Sequence, residues 1–287
     1  PGAPAFGAGQ RVVNVIDVRQ SYLQKIVKEG LRLMGHPGAS DASVHFAYEM
    51  VALSQKTAAE FERDGQISLS EEDRQRPFVE MSGRKGLGVR ADRLLDLLEE
   101  KAAAEVRARE PELGSGEVAV RAKALSVAAL RYYMIKYGKN VVIPFDFEQA
   151  LAFEGDTGPY LQYACVRAEN ILRKGREQGI EPPDPGAPGV LEEAAPHFDE
   201  EGWALLSLFL RVPVQARAAA DHLDLNLIAR QLFAAAQAFH AYYHHFPVLQ
   251  EPDENKRRAR LVTVALFARL LRGNLSTLLG IPVPERM

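Results

Sequence analysis

Cysteine is nearly absent from this chain, Cys165 being the only one. That excludes an intrachain disulfide and a cysteine-based zinc site, and it fits a reducing cytoplasm. Long apolar runs are lacking as well. None reaches the roughly 18 residues needed to span a bilayer, and no cationic segment followed by an apolar core opens the chain as a secretory signal does. The expectation is a soluble cytoplasmic protein without a membrane partner. Neither sign of charge is in large excess: 35 Lys and Arg against 38 Asp and Glu leave a net charge of −3. Phosphate backbones feel no global attraction to such a chain, so any nucleic-acid contact must come from a local basic patch. No repeat of fixed period occurs, and there is no Gly-x-x-x-x-Gly-Lys-Ser/Thr phosphate loop. An initiating methionine is missing too. Pro1 and the glycine- and proline-rich residues after it read as a loop, and the expectation is truncation of a longer protein.

With 287 residues the chain is long enough for two packed units. Arg11 to Val18 is a valine- and isoleucine-rich strand, Ser21 to Met34 has helical period, and Val44 to Leu53 reads as a second strand. This is one βαβ unit. Parallel sheets are normally buried on both faces, so two strands do not close a core, and the rest of the sheet is expected upstream. A polar, acidic stretch from Ser54 to Pro77 reads as a partly helical arm inserted in a hairpin whose second strand is Phe78 to Met81. From Ala91 the period turns helical. One helix, with Asp92 as candidate cap, ends at Pro111 and Gly114, and Val118 to Tyr137 forms the next. Further helices are predicted over Thr157 to Lys174, with Pro159 in the first turn, Asp199 to Leu210, Val214 to His245 with a break in Asp221 to Asn226, and Asn255 to Leu279. Pro182 to Gly189 is a proline-rich connector.

Two stretches carry chemistry. Met81-Ser82-Gly83-Arg84-Lys85-Gly86 is a glycine-punctuated basic loop, and Phe153-Glu154-Gly155-Asp156-Thr157-Gly158-Pro159-Tyr160-Leu161-Gln162-Tyr163-Ala164 follows further along. Alone, the first reads as a solvated basic turn and the second as a helix start. In this order and spacing they resemble the arginyl-tRNA synthetases, and the resemblance runs from about Val12 to the terminal Ile281-Pro282-Val283-Pro284-Glu285-Arg286-Met287, which is similar to the family's carboxyl terminus. The basic loop is similar to that family's form of the class I Lys-Met-Ser-Lys-Ser signature, with Glu80 at the place of its first lysine and Gly83 at the place of its second.

The resemblance implies a mostly α protein with a partial α/β part: an incomplete Rossmann-type catalytic half over 1–90, a helical connection over 91–153, and an all-α helical-bundle anticodon-binding domain of DALR type over 154–287. Asp-Ala-Leu-Arg itself is not intact, the nearest text being Ala265-Leu266-Phe267-Ala268-Arg269. Activation of a carboxylate by ATP expels pyrophosphate, which calls for mobile cations near the departing phosphates. Ser82, Arg84 and Lys85 are the implied catalytic residues. His45, Met50, Val51 and Gly83 are the implied ATP-binding positions, although His45 alone reads as a hydrogen-bonded structural histidine. Gln20, at the carboxyl end of the first strand, is implied to reach the substrate arginine or the nucleoside; a strand-end cap is its plainer reading.

Phe239-His240-Ala241-Tyr242-Tyr243-His244-His245 interleaves aromatic rings with titratable donors, and Lys256, Arg257, Arg258 and Arg260 follow. Unpaired bases are held by stacking and by hydrogen bonds to their edges, and their phosphates by basic side chains. His240, Tyr242, Tyr243, Lys256, Arg257, Arg260 and Met287 are therefore the candidate tRNA contacts, an ordinary solvated helix face being the alternative for the basic run. Tyr160, Tyr163 and Arg167 lie on one helix face and are expected mainly to pack a domain junction. Zinc at His240 and His244 lacks the Glu of His-Glu-x-x-His and a third ligand, so no protein-ligated metal is expected.

By resemblance, the whole enzyme is an arginine-tRNA ligase that uses ATP and Mg2+, acts on arginine and tRNA-Arg, and is a monomer. The His-Ile-Gly-His-type signature and the Tyr-x-Thr-Arg-Asp segment of such enzymes are absent from this sequence, so the isolated chain is expected to be inactive. The alternative is a noncatalytic tRNA-binding or partner-binding helical protein derived from a synthetase.

Overall fold

The computed structural model of the chain describes residues 9–81 and 87–287. These gather into two units, one formed by the chain up to Gly88 with Gly138–Phe145, the other by Val89–Tyr137 with Asp146–Met287.

In the first unit β1 (Val12–Asp17) passes through a short 3-10 turn into α1 (Ser21–Leu33), followed by α2 (Pro37–Ala42) and β2 (Ser43–Tyr48). β1 and β2 pair in parallel, Val12 opposite Ser43 and Asp17 opposite Tyr48. This is the βαβ unit read from the sequence. A second sheet follows. β3 (Val51–Ser54) leads through α3 (Gln55–Arg63) and α4 (Glu71–Gln75) to β4 (Phe78–Glu80), its antiparallel partner, and β5 (Ile143–Phe145) pairs with β3 in parallel on the other side. Ser54 caps α3 by accepting from the Thr57 N–H, and Ser70 and Asp73 form a capping box on α4.

The single strand expected over Val44 to Leu53 is thus two strands in different sheets. Between them the Glu49 N–H donates to the Lys139 carbonyl at 2.8 Å and the Met50 carbonyl accepts from the Ile143 N–H at 3.0 Å. The chain changes ladder partners without any glycine or proline to announce it. β5 carries Pro144 in its centre, which hid it from the strand pattern. The expected cap at Asp92 is also corrected: Arg90 occupies the cap position, and the Asp92 carboxylate, in the first turn, accepts from its guanidinium.

In the second unit α5 (Ala91–Arg109) and α6 (Ser115–Ile135) form an antiparallel hairpin pair, followed by α7 (Phe147–Leu151), α8 (Gly158–Glu177) and α9 (Val190–Ala194). Then come α10 (Glu200–Leu210), α11 (Val212–His222), α12 (Asn226–His245) and α13 (Glu254–Leu279). The polar break expected between α11 and α12 falls at Leu223, the one described non-glycine residue at positive φ. Helix α8 packs on α6, α12 and α13. Tyr132, Leu161, Cys165, Leu232, Phe239, Phe267 and Leu271 are buried in this core, and the Phe239 and Phe267 rings stack 4.0 Å apart. By length and composition α13 could cross a bilayer, but half of its apolar window is buried within the bundle. Burial, and next to it the Glu169 charge, pushes the Cys165 thiol up to about 12, so it stays protonated and inert.

The entry to α8 explains the Phe153 to Ala164 motif in structural terms. Thr157 caps the helix, its Oγ accepting from the Tyr160 N–H at 3.2 Å and donating to the Ala152 carbonyl at 2.6 Å. Tyr132 donates to the Asp156 carboxylate at 2.5 Å, and Lys136 donates to the Asp156 carbonyl at 2.9 Å. At Gly158 an added Cβ would lie 2.1 Å from the Ala128 carbonyl oxygen. Only a residue without a side chain lets α8 approach α6 this closely. Gly158→Ala is therefore expected to destabilise the chain by about 3 kcal/mol through overpacking, seen as a lower urea midpoint at unchanged slope. A midpoint equal to wild type would show that the two helices part freely.

Candidate nucleic-acid interface

Residues 167, 171, 174 and 178 recur along one face of α8 at helical spacing, opposite the last two turns of α12. Between them lies a recess of about 520 Å³. Arg167 and Lys174 line it from α8, His240, Tyr243 and His244 from α12, and residues 247–250 close one end. The aromatic spacing of α12 places the walls: Phe239 points into the core, Tyr243 sits at the recess, and their rings lie nearly parallel, 6.5 Å apart.

Arg167 is the centre of this arrangement. Its guanidinium lies 4.8 Å from the Tyr243 ring centroid and 5.5 Å from that of Tyr163, and its Nη1 donates to His240 Nδ1 at 3.2 Å. Because arginine has only donors, Nδ1 must accept, and the neutral His240 carries its hydrogen on Nε2. The His240 ring is held between Tyr160, at 4.9 Å, and Tyr163, at 5.9 Å. Among the described residues its Nε2 is buried without a partner. The sequence reading left Arg167 in a packing role and did not single out Lys174. The signal that could have found both is the i, i+4, i+7, i+11 file along α8, which points at the same side as Tyr243 and His244.

The remaining candidates for tRNA contact separate. Tyr243 lines the recess and His240 forms part of its wall. Tyr242 and Arg260 face inward, which corrects their expected role as RNA contacts. Arg260 is buried, donating from Nε to Asp199 at 3.0 Å and from Nη1 to Glu251 and to the Pro247 carbonyl, and Tyr242 donates to the same Asp199 at 3.3 Å. Burial works against the Arg260 charge, but the Asp199 and Glu251 carboxylates outweigh it and hold its pKa above the usual value. A guanidinium committed to two carboxylates is not available to a phosphate. Asp199, spent on this pair, makes no side-chain cap to α10. Arg257 donates to the Glu251 carbonyl, Arg258 pairs with Glu193, and Lys256 stays exposed on the first turn of α13. Met287 lines a different, small recess with Arg109, Phe153 and Arg286, so the structure does not bring it to His240 and Tyr243.

In the first unit, Ser82, Gly83, Arg84 and Lys85 lie outside the described residues. Gln20 is exposed at the end of the turn after β1. Beside it, Arg19 bonds the Asp17 carboxylate at 2.8 Å and Glu80 at 2.6 Å, which ties the carboxyl end of β1 to that of β4. The Arg19 hydrogen bond holds the Asp17 carboxyl below the usual range. His45 uses its Nε2–H on the Ile16 carbonyl at 2.9 Å, so it serves as a strut between β1 and β2. Val51 pairs with Ile143, whose N–H is held by the Met50 carbonyl. His45 Nε2 and the Met50 carbonyl are thus engaged in strand architecture, and among the described residues no cluster of metal-ligating side chains occurs.

Burial, and then the Arg167 charge, keep His240 below its usual pKa of 6.5. Once pH falls below about 6.5 the unfolded chain protonates at this position while the folded chain resists, so this contribution to stability is full above that pH and declines beneath it. His240→Asn is expected to flatten the fall in urea midpoint between about pH 7 and about pH 5. A variant with the wild-type pH slope would place the titrating group elsewhere.

The profile of the DALR anticodon binding domain matches residues 161–287. Arginine–tRNA ligases from Thermus thermophilus, Thermococcus kodakarensis and Deinococcus radiodurans are 38%, 33% and 31% identical to the chain over 97%, 98% and 98% of its length. These alignments cover 42%, 40% and 43% of the relatives, so the chain spans about two fifths of their length. Among solved structures, a Thermus thermophilus arginyl-tRNA synthetase superposes with a TM-score of 0.74 at 32% identity, over 97% of this chain and 41% of that one. An arginyl-tRNA synthetase from Plasmodium falciparum shares the fold at 16% identity, with a TM-score of 0.68 over 97% of this chain and 41% of that one. By these matches the chain belongs to the arginyl-tRNA synthetase family, corresponding to the carboxyl-terminal portion of those enzymes and carrying their DALR anticodon-binding domain.

Proposed function

We propose that this chain is the tRNA-anchoring portion, with part of the catalytic domain, of an arginine-tRNA ligase. The whole enzyme joins arginine to ATP in the presence of Mg2+, releasing pyrophosphate, and passes arginine from the adenylate to the terminal ribose of tRNA-Arg. The observation that carries this reading is the recess between α8 and α12, with its stacked tyrosine and its cations, inside the stretch that matches the anticodon-binding profile. Base stacking on an aromatic ring is worth about 1–3 kcal/mol per base, and the net charge of −3 makes a local basic site the only electrostatic route to RNA. Tyr243 takes a base, while Lys174, His244 and exposed Lys256 hold phosphates.

The segments 1–90, 91–153 and 154–287 serve as catalytic part, connection and anticodon-binding domain. In the first, the Arg19 bridge between Asp17 and Glu80 supports a site in which Gln20 faces the substrate while Arg84 and Lys85 neutralise the departing pyrophosphate and Ser82 donates a hydrogen bond to it. Its other strands come from the part of the enzyme that precedes this portion in the relatives, which explains why Val12, Val13 and Val15 of β1 and Tyr22, Leu23, Ile26 and Val27 of α1 are exposed here. Such an enzyme works as a cytoplasmic monomer.

Binding of this chain to tRNA-Arg and to anticodon-substituted versions, over a salt series, tests the reading. Preference for the cognate anticodon at every salt concentration is expected, together with an affinity that falls as salt rises. Equal binding of all versions refutes it. The chain alone is expected to show no arginine-dependent pyrophosphate exchange; turnover would refute the need for the remaining three fifths of the enzyme.

A further inference from the structure

We propose that the outer face of α10 and α11 is a self-association surface on which a second copy of this chain docks, the two α10–α11 segments running antiparallel about a two-fold axis. None of the residues that line the recess belongs to this face.

Three observations carry it. First, the face is an exposed file at coiled-coil spacing. Glu200, Trp203, Ser207, Leu210, Val214 and Arg217 follow one another at alternating intervals of three and four, and all of them are exposed. On the opposite side Leu205, Phe209, Val212 and Ala219 are buried, where both helices pack on α12. Arg211, between the two helices, keeps right-handed helical backbone angles, so both files count on across the junction. Trp203, Leu210 and Val214 are 52%, 79% and 66% exposed, large apolar groups set in one line and not scattered. Second, the file complements its own reverse. Turned round, a copy sets Glu200 opposite Arg217, Trp203 opposite Val214 and Ser207 opposite Leu210. Opposite charges then meet at both ends with apolar groups between them, as an isologous interface requires. The file is itself neutral, one Glu against one Arg, and so has no pull on a phosphate backbone or an anionic lipid surface. Third, the face is ready to be covered. The Trp203 ring is held edge-on by Phe198, 5.0 Å away at 72°, an anchor with little freedom left to lose. Ser207 already donates its hydroxyl to the Ala204 carbonyl at 2.7 Å, so covering it strands no donor.

Size sets the strength of the contact. Two helical stretches of this length cover less than about 1,200 Å² in total, the range of transient encounters. Pairing is therefore expected at micromolar protein and above, while an enzyme diluted to nanomolar works as single chains. What the pairing changes is assembly at high local concentration. The chemistry of each copy is its own.

Trp203 is the only tryptophan of the chain, so tryptophan emission reports on this face alone. The test follows the full chain from nanomolar to hundreds of micromolar, by sedimentation for mass and by fluorescence for burial, at low salt where rim charges act at full strength. Wild type is expected to double in mass and to shift its emission to shorter wavelength at one common midpoint concentration. Leu210→Lys, at an exposed position that folding does not need, is expected to raise that midpoint about tenfold or more. Glu200→Arg and Arg217→Glu each set like charges opposite one another and are expected to raise it about fivefold. Combined in one chain they restore opposite charges, and the midpoint is expected to return to within about twofold of wild type. Only contact between Glu200 of one copy and Arg217 of the other gives that rescue. A monomer at every concentration overturns the proposal, and so does the absence of rescue in the double variant. Association that leaves the emission unmoved, or that Leu210→Lys leaves intact, belongs to the exposed surface of β1 and α1 and overturns it as well. Emission that shifts on adding tRNA-Arg or anionic vesicles, and not with protein concentration, gives the face to another occupant and overturns the pairing.

Discussion

The helical unit depends on how closely α8 lies against its neighbours. Gly158 brings the start of α8 onto the backbone of α6 at Ala128. One turn on, buried Gln162 donates to the Ala124 carbonyl of α6 and to the Pro282 carbonyl of the tail. Arg272 of α13 pairs with Glu169 at 2.7 Å and donates to the Val283 carbonyl at 2.7 Å, so the same helix is fastened to α13 and to the tail. Ile281 is fully buried as a result. Each further position along α8 inherits its aim from these contacts, including Arg167 and Lys174 at the recess. Interiors packed at crystal density do not absorb an extra methyl without shifting a helix, and a shifted α8 would move Arg167 away from the Tyr243 ring that it lies against.

Two kinds of arginine occur in this unit. Arg260 and Arg272 are matched by carboxylates on neighbouring segments, as a buried charge is tolerated only when paired and hydrogen-bonded. Arg260 is the fullest example, with Asp199 giving up a helix cap to meet it. Arg167 is of the other kind. Its partners are an imidazole and aromatic faces, so the recess carries an uncompensated positive charge although the chain as a whole is slightly acidic. A local site of this sort can attract RNA without the nonspecific binding that a basic surface would bring.

The strand unit is built on a different balance. Its three-stranded sheet buries Leu53, Val79 and Phe145, and α3, with its buried Phe61, packs on β3 and β4. The β1–β2 pair leaves valines exposed, and α1 has no buried residue at all. Two parallel strands do not bury both of their own faces. The apolar stripe of α1 and the outer residues of β1 are the kind of surface that proteins cover with further strands or helices.

Local order was written in the sequence. Periodicity placed β1, α1 and the long helices of the second half, and Thr157 with Pro159 fixed the start of α8, because caps and helical faces are properties of neighbouring residues. The loop and the Gly-Pro-Tyr motif pointed to the family on wording alone. What the sequence left open was decided by partners distant along the chain. The Val44 to Leu53 run divides because Lys139 and Ile143 take over its hydrogen bonds. In the same way, Arg260 and Tyr242 turn inward because Asp199 and Glu251 meet them there. Arg167 and Tyr243, far apart in sequence, form one wall only once α8 packs on α12. Residue type and spacing determine which groups a helix presents. Whether a cation finds a carboxylate or an open recess is set by which other helix lies across from it, and that is a property of the fold.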